Sequence, residues 1–275
     1  MSSVLVTGTS KGIGLATALA FGRAGHQVFA MMRNPAKSPE LAEIAAHEGL
    51  AIAISAMDVD SDVSVREAMA AIGSPIDILV NNAGIEAVGS IEERPLAEFR
   101  AVMETNYFGC LRCIQAVVGQ MRERRSGCII NVASVAGQVA SPPMTAYAAS
   151  KWALEALSEG LAGEMKTFNV HVAIVEPGII DTAMARRIGD PKGESPYVHS
   201  ARFAAMFGSS LQNPVPPSLV AEKILEIAES GTWQLRHPVG PDAIPFLERR
   251  KSMSDEEWVT LNAGDDATFF SSLGG

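Results

Sequence analysis

Thr7-Gly8-Thr9-Ser10-Lys11-Gly12-Ile13-Gly14 follows the apolar run Val4-Leu5-Val6 and leads into helical periodicity over residues 13–23. A strand that turns on glycines into a helix gathers backbone N–H groups and the positive end of a helix dipole at one point, where a pyrophosphate can be met. Gly8, Gly12 and Gly14 suit that turn, because a Cβ would block its tight bend and the approach of a phosphate. The spacing is G-x-x-x-G-x-G rather than G-x-G-x-x-G, so its weight comes from its place at the first β-to-α turn. Ser10, Lys11 and Ile13 complete the candidate phosphate-binding loop.

Outward from this turn, short apolar runs alternate with longer stretches of helical period. Strands are predicted at 4–7, 27–32, 50–57, 76–80, 127–133 and 170–176, and helices at 13–23, 40–47, 62–72, 96–121 and 145–168. That alternation predicts an α/β fold, a single doubly wound (Rossmann) parallel sheet with helices on both faces, in one domain over residues 1–275. Residues 190–217 mix Pro, Gly and Ser with Tyr197, Phe203, Met206 and Phe207, and read as a mobile loop with a short helix, part of a lid around 183–216. A helix at 217–229, a strand at 232–237 and a polar tail follow, with Ser254-Asp255-Glu256-Glu257 as a helix start.

Composition bounds the function. A chain of 275 residues with 47% hydrophobic and 19% charged residues suits a compact α/β protein. Its net charge of -9 repels a phosphate backbone, and its densest basic patch, Arg122 to Arg125, contains Glu123, so no nucleic-acid partner is expected. No apolar run reaches the ~20 residues of a membrane span. Cys110, Cys113 and Cys128 cannot all pair with one another, and no secretory leader precedes the first strand, so a cytoplasmic setting is expected. Cys110 and Cys113 share a helix face with apolar residues and read as core rather than as a redox or metal pair.

The second strand ends Met31-Met32-Arg33-Asn34, with no carboxylate to take a ribose 2′-hydroxyl. Arg33, with Lys11 reaching from the glycine turn, instead suits a 2′-phosphate, which predicts NADP(H) as cofactor. Tyr147-Ala-Ala-Ser-Lys151 puts a phenol and an ammonium one helical turn apart on one face. The ammonium is expected to lower the phenol pKa, letting Tyr147 exchange a proton with a substrate oxygen that Ser134 also holds.

With these residues in this order, the chain resembles the short-chain dehydrogenase/reductase family, in its compact single-domain branch. The resemblance runs from Val4 to about Thr182 and rests on the glycine turn, Asp58-Val59, Asn81-Asn82-Ala83-Gly84, Asn106, Ser134, Tyr147, Lys151 and Pro177-Gly178. It implies that Asp58 binds adenine with Val59 beside it, and that the Asn82, Ala83 and Gly84 backbone lines the adenosine ribose. Lys151 would hold the nicotinamide ribose, Asn106 would anchor a water leading to Lys151, and Pro177, Gly178, Ile180 and Thr182 would flank the nicotinamide. Asn81 reads as a tie between strands. Within the family the chain is most similar to the subgroup of 17β-hydroxysteroid dehydrogenase type 1 and the retinol dehydrogenases, in Arg33-Asn34-Pro35 and in Asn131 to Gly137. Two departures are Ala133 in place of a common Ser and Glu86 near the pocket mouth, which would disfavour acidic substrates.

The expected function is therefore an NADP(H)-dependent carbonyl reductase or alcohol dehydrogenase acting on a small, apolar molecule, in a homo-dimer or homo-tetramer. A non-catalytic NADP(H) sensor would have no use for Ser134, Tyr147, Lys151 and Asn106 together. An epimerase or dehydratase of the extended branch would need a larger substrate domain after Pro177.

Overall fold

A computed structural model describes residues 1–190 and 195–271. The first half runs β1 (Ser3–Thr7), α1 (Gly12–Arg23), β2 (Gln27–Met32), α2 (Glu40–Glu48), β3 (Ile52–Ala56), α3 (Asp62–Ile72), β4 (Ile78–Asn81), α4 (Leu96–Met103) and α5 (Gly109–Arg124). The second runs β5 (Gly127–Val132), α6 (Thr145–Lys166), β6 (Val170–Pro177), α7 (Ala183–Ile188), α8 (His199–Ser210), α9 (Pro217–Ser230), β7 (Arg236–Val239), α10 (Ala243–Ser252), α11 (Asp255–Ala263) and α12 (Asp266–Ser271).

Among the described residues the strands form one sheet of seven in the order β3-β2-β1-β4-β5-β6-β7, every neighbouring pair parallel. Buried parallel strands need apolar residues on both faces, and alternate side chains divide between two cores. Val4 and Val6 of β1 pack with Phe21, Val28, Ile130, Val220 and Ile224 on one side. Leu5 packs with Leu79, Ile114, Val117, Ile129 and Leu161 on the other. The strand order reverses between β1 and β4, which places a ligand crevice at their carboxyl ends.

The doubly wound sheet agrees with the sequence expectation, and several boundaries differ from it. The expected helix at 96–121 is interrupted by a π turn, Glu104–Phe108, between α4 and α5. Hydrophobic period does not register one added residue, whereas i→i+5 bonding does. The strand expected at 232–237 is β7, shifted toward the carboxyl end. Over the expected mobile loop at 190–217, residues 199–210 form the three-turn helix α8, while 191–194 lie outside the described residues. The polar tail is three helices, and Ser254 opens α11 with the expected capping box, its hydroxyl accepting from Glu257 N while Glu257 accepts from Ser254 N.

Candidate active site

The carboxyl ends of the central strands open into a cavity of about 570 Å³. Gly8, Ser10, Lys11, Gly12, Ile13 and Gly14 line it, as do Arg33, Asp58, Val59, Asn82, Ala83 and Gly84. Ser134, Tyr147, Lys151, Pro177, Gly178, Ile180 and Thr182 line its remaining wall. Asn106 does not; it is fully buried behind that wall.

The glycine turn is clamped to the loop after β4. Gly8 has φ +71°, and a Cβ there would lie 2.7 Å from Ala83 Cα. Thr7 Oγ1 accepts from the backbone N–H groups of Asn82 and Ala83, both at 3.0 Å, while Asn82 Nδ2 donates to Thr7 O at 2.9 Å and Gly8 O at 3.2 Å. The Asn82 side chain thus holds the turn and leaves the loop backbone to face the cavity. α1 has no acidic residue in its first turn, and Lys11 makes no side-chain cap, so the orphan N–H groups of that turn are available to an anion. Lys11 and Arg33 are exposed at the cavity rim, and neither forms an ion pair among the described residues. Nearby Asp60 accepts from Thr105 Oγ1 at 3.0 Å; burial pushes its carboxyl above the usual range, outweighing the pull of that bond and of Arg33.

Ser134 precedes the 3-10 turn Val135–Gly137 that leaves β5. Its hydroxyl accepts from Ala136 N at 3.1 Å, donates to Pro177 O at 3.4 Å, and lies near enough to the Tyr147 phenol to act on it. Lys151 Nζ donates to Val132 O at 2.8 Å and stands 5.6 Å from the Tyr147 ring centroid. The effect of Lys151 expected on Tyr147 is not what the structure shows. Burial pushes the phenol up to about 12, Ser134 lowers it, and the Glu86 carboxylate adds to the rise. Burial also lowers the Lys151 ammonium, which is engaged by a main-chain carbonyl. In this state Tyr147 is a neutral phenol.

Asn106 sits in the π turn and clamps the backbone of Ile85, accepting from its N–H at 2.8 Å and donating to its carbonyl at 2.9 Å. Its amide also donates to Ser150 Oγ at 3.0 Å, and its own carbonyl accepts from Cys110 Sγ at 3.2 Å. Here it ties the loop after β4 to α6. Burial pushes the Cys110 thiol up to about 11. Asn81 ties strands as expected, donating to Asn131 Oδ1 at 2.9 Å, while Asn131 donates to Ser158 Oγ at 2.8 Å.

The far half of the cavity is apolar. Met144, Phe203, Met206 and Phe207 line it, whereas Tyr197 does not and is exposed. Glu86 is paired with Arg187 Nη2 at 2.7 Å, so its charge is met and the expected rejection of acidic substrates loses its basis. Sequence reading missed the roof, built by Phe246 of α10, Trp258 and Leu261 of α11 and Phe269 of α12. The i, i+3 spacing of Trp258 and Leu261 was its one legible signal. Arg202 of α8 is buried against this roof, donating to Asn262 O at 3.1 Å, Gly264 O at 2.7 Å and Asp266 Oδ1 at 2.8 Å, with its guanidinium 4.8 Å from the Phe269 centroid. Also missed was Asp242, whose Oδ2 accepts from Ile179 N at 2.8 Å and braces the loop after β6.

A family model described as short chain dehydrogenase matches residues 2–193. The chain belongs to the short-chain dehydrogenase/reductase family, whose members are oxidoreductases that use a nicotinamide cofactor. It is 34% identical over 247 residues to the oxidoreductase YusZ of Bacillus subtilis, covering 86% of this chain and 88% of that one. It is 40% identical over 185 residues to human retinol dehydrogenase 8, a match spanning 66% of this chain and 59% of the human protein. A short-chain dehydrogenase from Streptomyces avermitilis superposes with a TM-score of 0.79 at 33% identity, covering 91% and 93% of the two chains. Actinorhodin polyketide ketoreductase, in a variant solved with NADPH, superposes with a TM-score of 0.78 at 27% identity, covering 88% and 97%.

A nicotinamide dinucleotide fits the residues present. One cavity holds the uncapped first turn of α1 and Tyr147, and Lys11 and Arg33, which form no ion pair among the described residues, stand at its rim.

Proposed function

We propose that this chain is an NADP(H)-dependent oxidoreductase that interconverts an apolar ketone or aldehyde with the corresponding alcohol, with Tyr147 as proton donor and acceptor. The observation that carries this reading is the Tyr147 phenol beside Ser134, both lining the cavity that the glycine turn also lines.

When bound, the dinucleotide supplies or takes up a hydride. The first turn of α1 would hold its pyrophosphate, and Lys11 and Arg33 a 2′-phosphate. Asp58, Val59 and the Asn82 to Gly84 backbone would hold the adenosine, and Lys151, Pro177, Gly178, Ile180 and Thr182 the nicotinamide end. Ser134 orients the substrate oxygen by a hydrogen bond. Tyr147, held protonated by burial, donates to that oxygen as charge develops on it, which favours reduction in this state. The apolar roof excludes water and accepts an apolar substrate body, with α7 and α8 as a lid over it. Exposed Phe108 and Trp152, with open space over Gly160 and Gly163, support self-association through α5 and α6 into a homo-dimer or homo-tetramer.

The test is NADPH oxidation followed by absorbance across a panel of apolar ketones and aldehydes, with wild type and Tyr147→Phe side by side. Turnover that is lost in the variant supports the reading. Tight NADPH binding with no turnover on any compound would favour a sensor instead.

A further inference from the structure

Behind the active site two carboxylates meet in the core. Glu155 lies one turn beyond Lys151 on α6, and Glu176 precedes Pro177 at the end of β6; they are 5% and 0% exposed. The two carboxyls are close enough that each acts on the other, Glu176 raising Glu155. Arg236 Nε, on β7, donates to Glu155 Oε2 at 2.9 Å, and its Nη2 to Glu159 Oε2 at 2.8 Å. Gln138, just past the turn that Ser134 opens, donates to Glu176 Oε1. The remaining oxygens, Glu155 Oε1 and Glu176 Oε2, find no donor in protein side chains or backbone among the described residues.

Two facing carboxylates in a low-dielectric interior cannot both ionise without a large penalty. Arg236 supplies one positive charge, paired with Glu155 and exposed Glu159 and acting on Glu176 without a bond to it. Lys151 acts on Glu155 only at a distance, its ammonium being engaged by Val132 O, and Lys251 of α10 acts weakly on Glu176. A single proton between the two orphaned oxygens satisfies both acceptors and removes the repulsion.

The pair joins the elements that carry the proposed chemistry. Glu155 rides on the helix of Tyr147 and Lys151, Glu176 leads into Pro177, and Gln138 ties Glu176 to the turn of Ser134. A Cβ on Gly137 of that turn would lie 2.9 Å from Glu155 Cγ, so the turn rests directly on the pair. We propose that Glu155 and Glu176 share one proton and act as positioning residues, a clasp that keeps the Ser134 turn, Pro177 and α6 in catalytic register. Neither lines the cavity. The clasp rests on the reading of Ser134, Tyr147 and Lys151 as the reacting constellation.

Burial raises both carboxyls above the usual range, and for Glu155 its neighbour raises it further. A raised folded value means that the stability the pair contributes is complete below the ordinary carboxylate range and is lost as pH rises through the raised value. The clasp therefore loosens with rising pH. Tyr147, held up at about 12, cannot by itself produce a loss of activity close to neutrality.

Glu155→Gln tests this, because its amide keeps the shape, places a permanent N–H donor opposite Glu176 Oε2 and still accepts from Arg236. Glu176→Gln is the second variant. In infrared difference spectra against either variant, wild type should show the carbonyl band of a protonated carboxylic acid near about pH 6 that fades toward about pH 9. Over that range the melting midpoint of wild type should fall relative to Glu155→Gln by roughly 5 °C. The wild-type kcat should fall by about threefold or more, a decline that is absent from Glu155→Gln. Absence of the band, or melting midpoints that stay parallel across pH, overturns the shared proton. The band with superimposable pH profiles of kcat overturns the positioning role. The infrared and melting measurements need no turnover, so a chain inactive on every carbonyl would defeat the functional reading and the positioning role, while these two still decide whether the proton is shared.

Discussion

Trp258 Nε1 donates to the main-chain carbonyl of Ala140 at 2.7 Å, fastening the tail of the chain to the loop that follows Ser134. Trp258 also lines the cavity, so this bond fixes the height of the cavity roof above Ser134 and Tyr147. Trp258→Phe removes the donor and keeps most of the ring. A net loss of about 1 kcal/mol should raise the substrate KM roughly fivefold and leave the NADPH Kd unchanged. Steady-state kinetics beside a cofactor titration will separate the two.

Tyr147→Phe deletes one hydroxyl from the constellation. Loss of general acid catalysis should lower kcat by ~10²–10⁴-fold with NADPH binding retained. Turnover equal to wild type would rule out Tyr147 as the proton donor.

Among the described residues Lys11 and Arg33 form no ion pair at the cavity rim, and Asp60, on which Arg33 acts, keeps its bond from Thr105 when they are removed. The double variant Lys11→Ala with Arg33→Ala should keep its melting temperature and lose ~10²-fold of its preference for NADPH over NADH. The ratio of kcat/KM for the two cofactors reads this directly. An unchanged ratio counts against the 2′-phosphate site.

Arg202 holds two helix-end carbonyls and Asp266 at once, and it is nearly inaccessible to solvent. Arg202→Met should cost roughly 3 kcal/mol, because those acceptors lose their donor together. Hydrogen exchange should show the loss concentrated in α11 and α12, with the sheet still protected, and the substrate KM should rise.

The sheet was legible because strands buried on both faces read as unbroken apolar runs, as in Val4 to Val6 and Ile129 to Ile130. The cavity wall from Gly8 to Thr182 was legible because each motif falls where a strand ends. Local sequence says less about groups whose setting is tertiary. Tyr147 and Lys151 share a helix face as their spacing requires, but burial and the Glu86 carboxylate, contributed from elsewhere, reverse the expected shift of the phenol. Asp242, Arg202 and the roof residues act only through elements distant in the chain, so their spacing carries almost no signal.

The π turn at Glu104–Phe108 acts as a phase shifter. α4 lies against α6, whereas α5 lies against α3 and β4, so one helical run serves two neighbours on different bearings. A residue advances a regular helix by roughly 100°. Deleting one residue within the turn would restore regular winding and rotate α4 out of phase with α5 by that angle, pulling Asn106 off Ile85. The extra residue is thus a setting of angle, and a deletion that leaves every apolar residue present would still misalign the wall of the cavity.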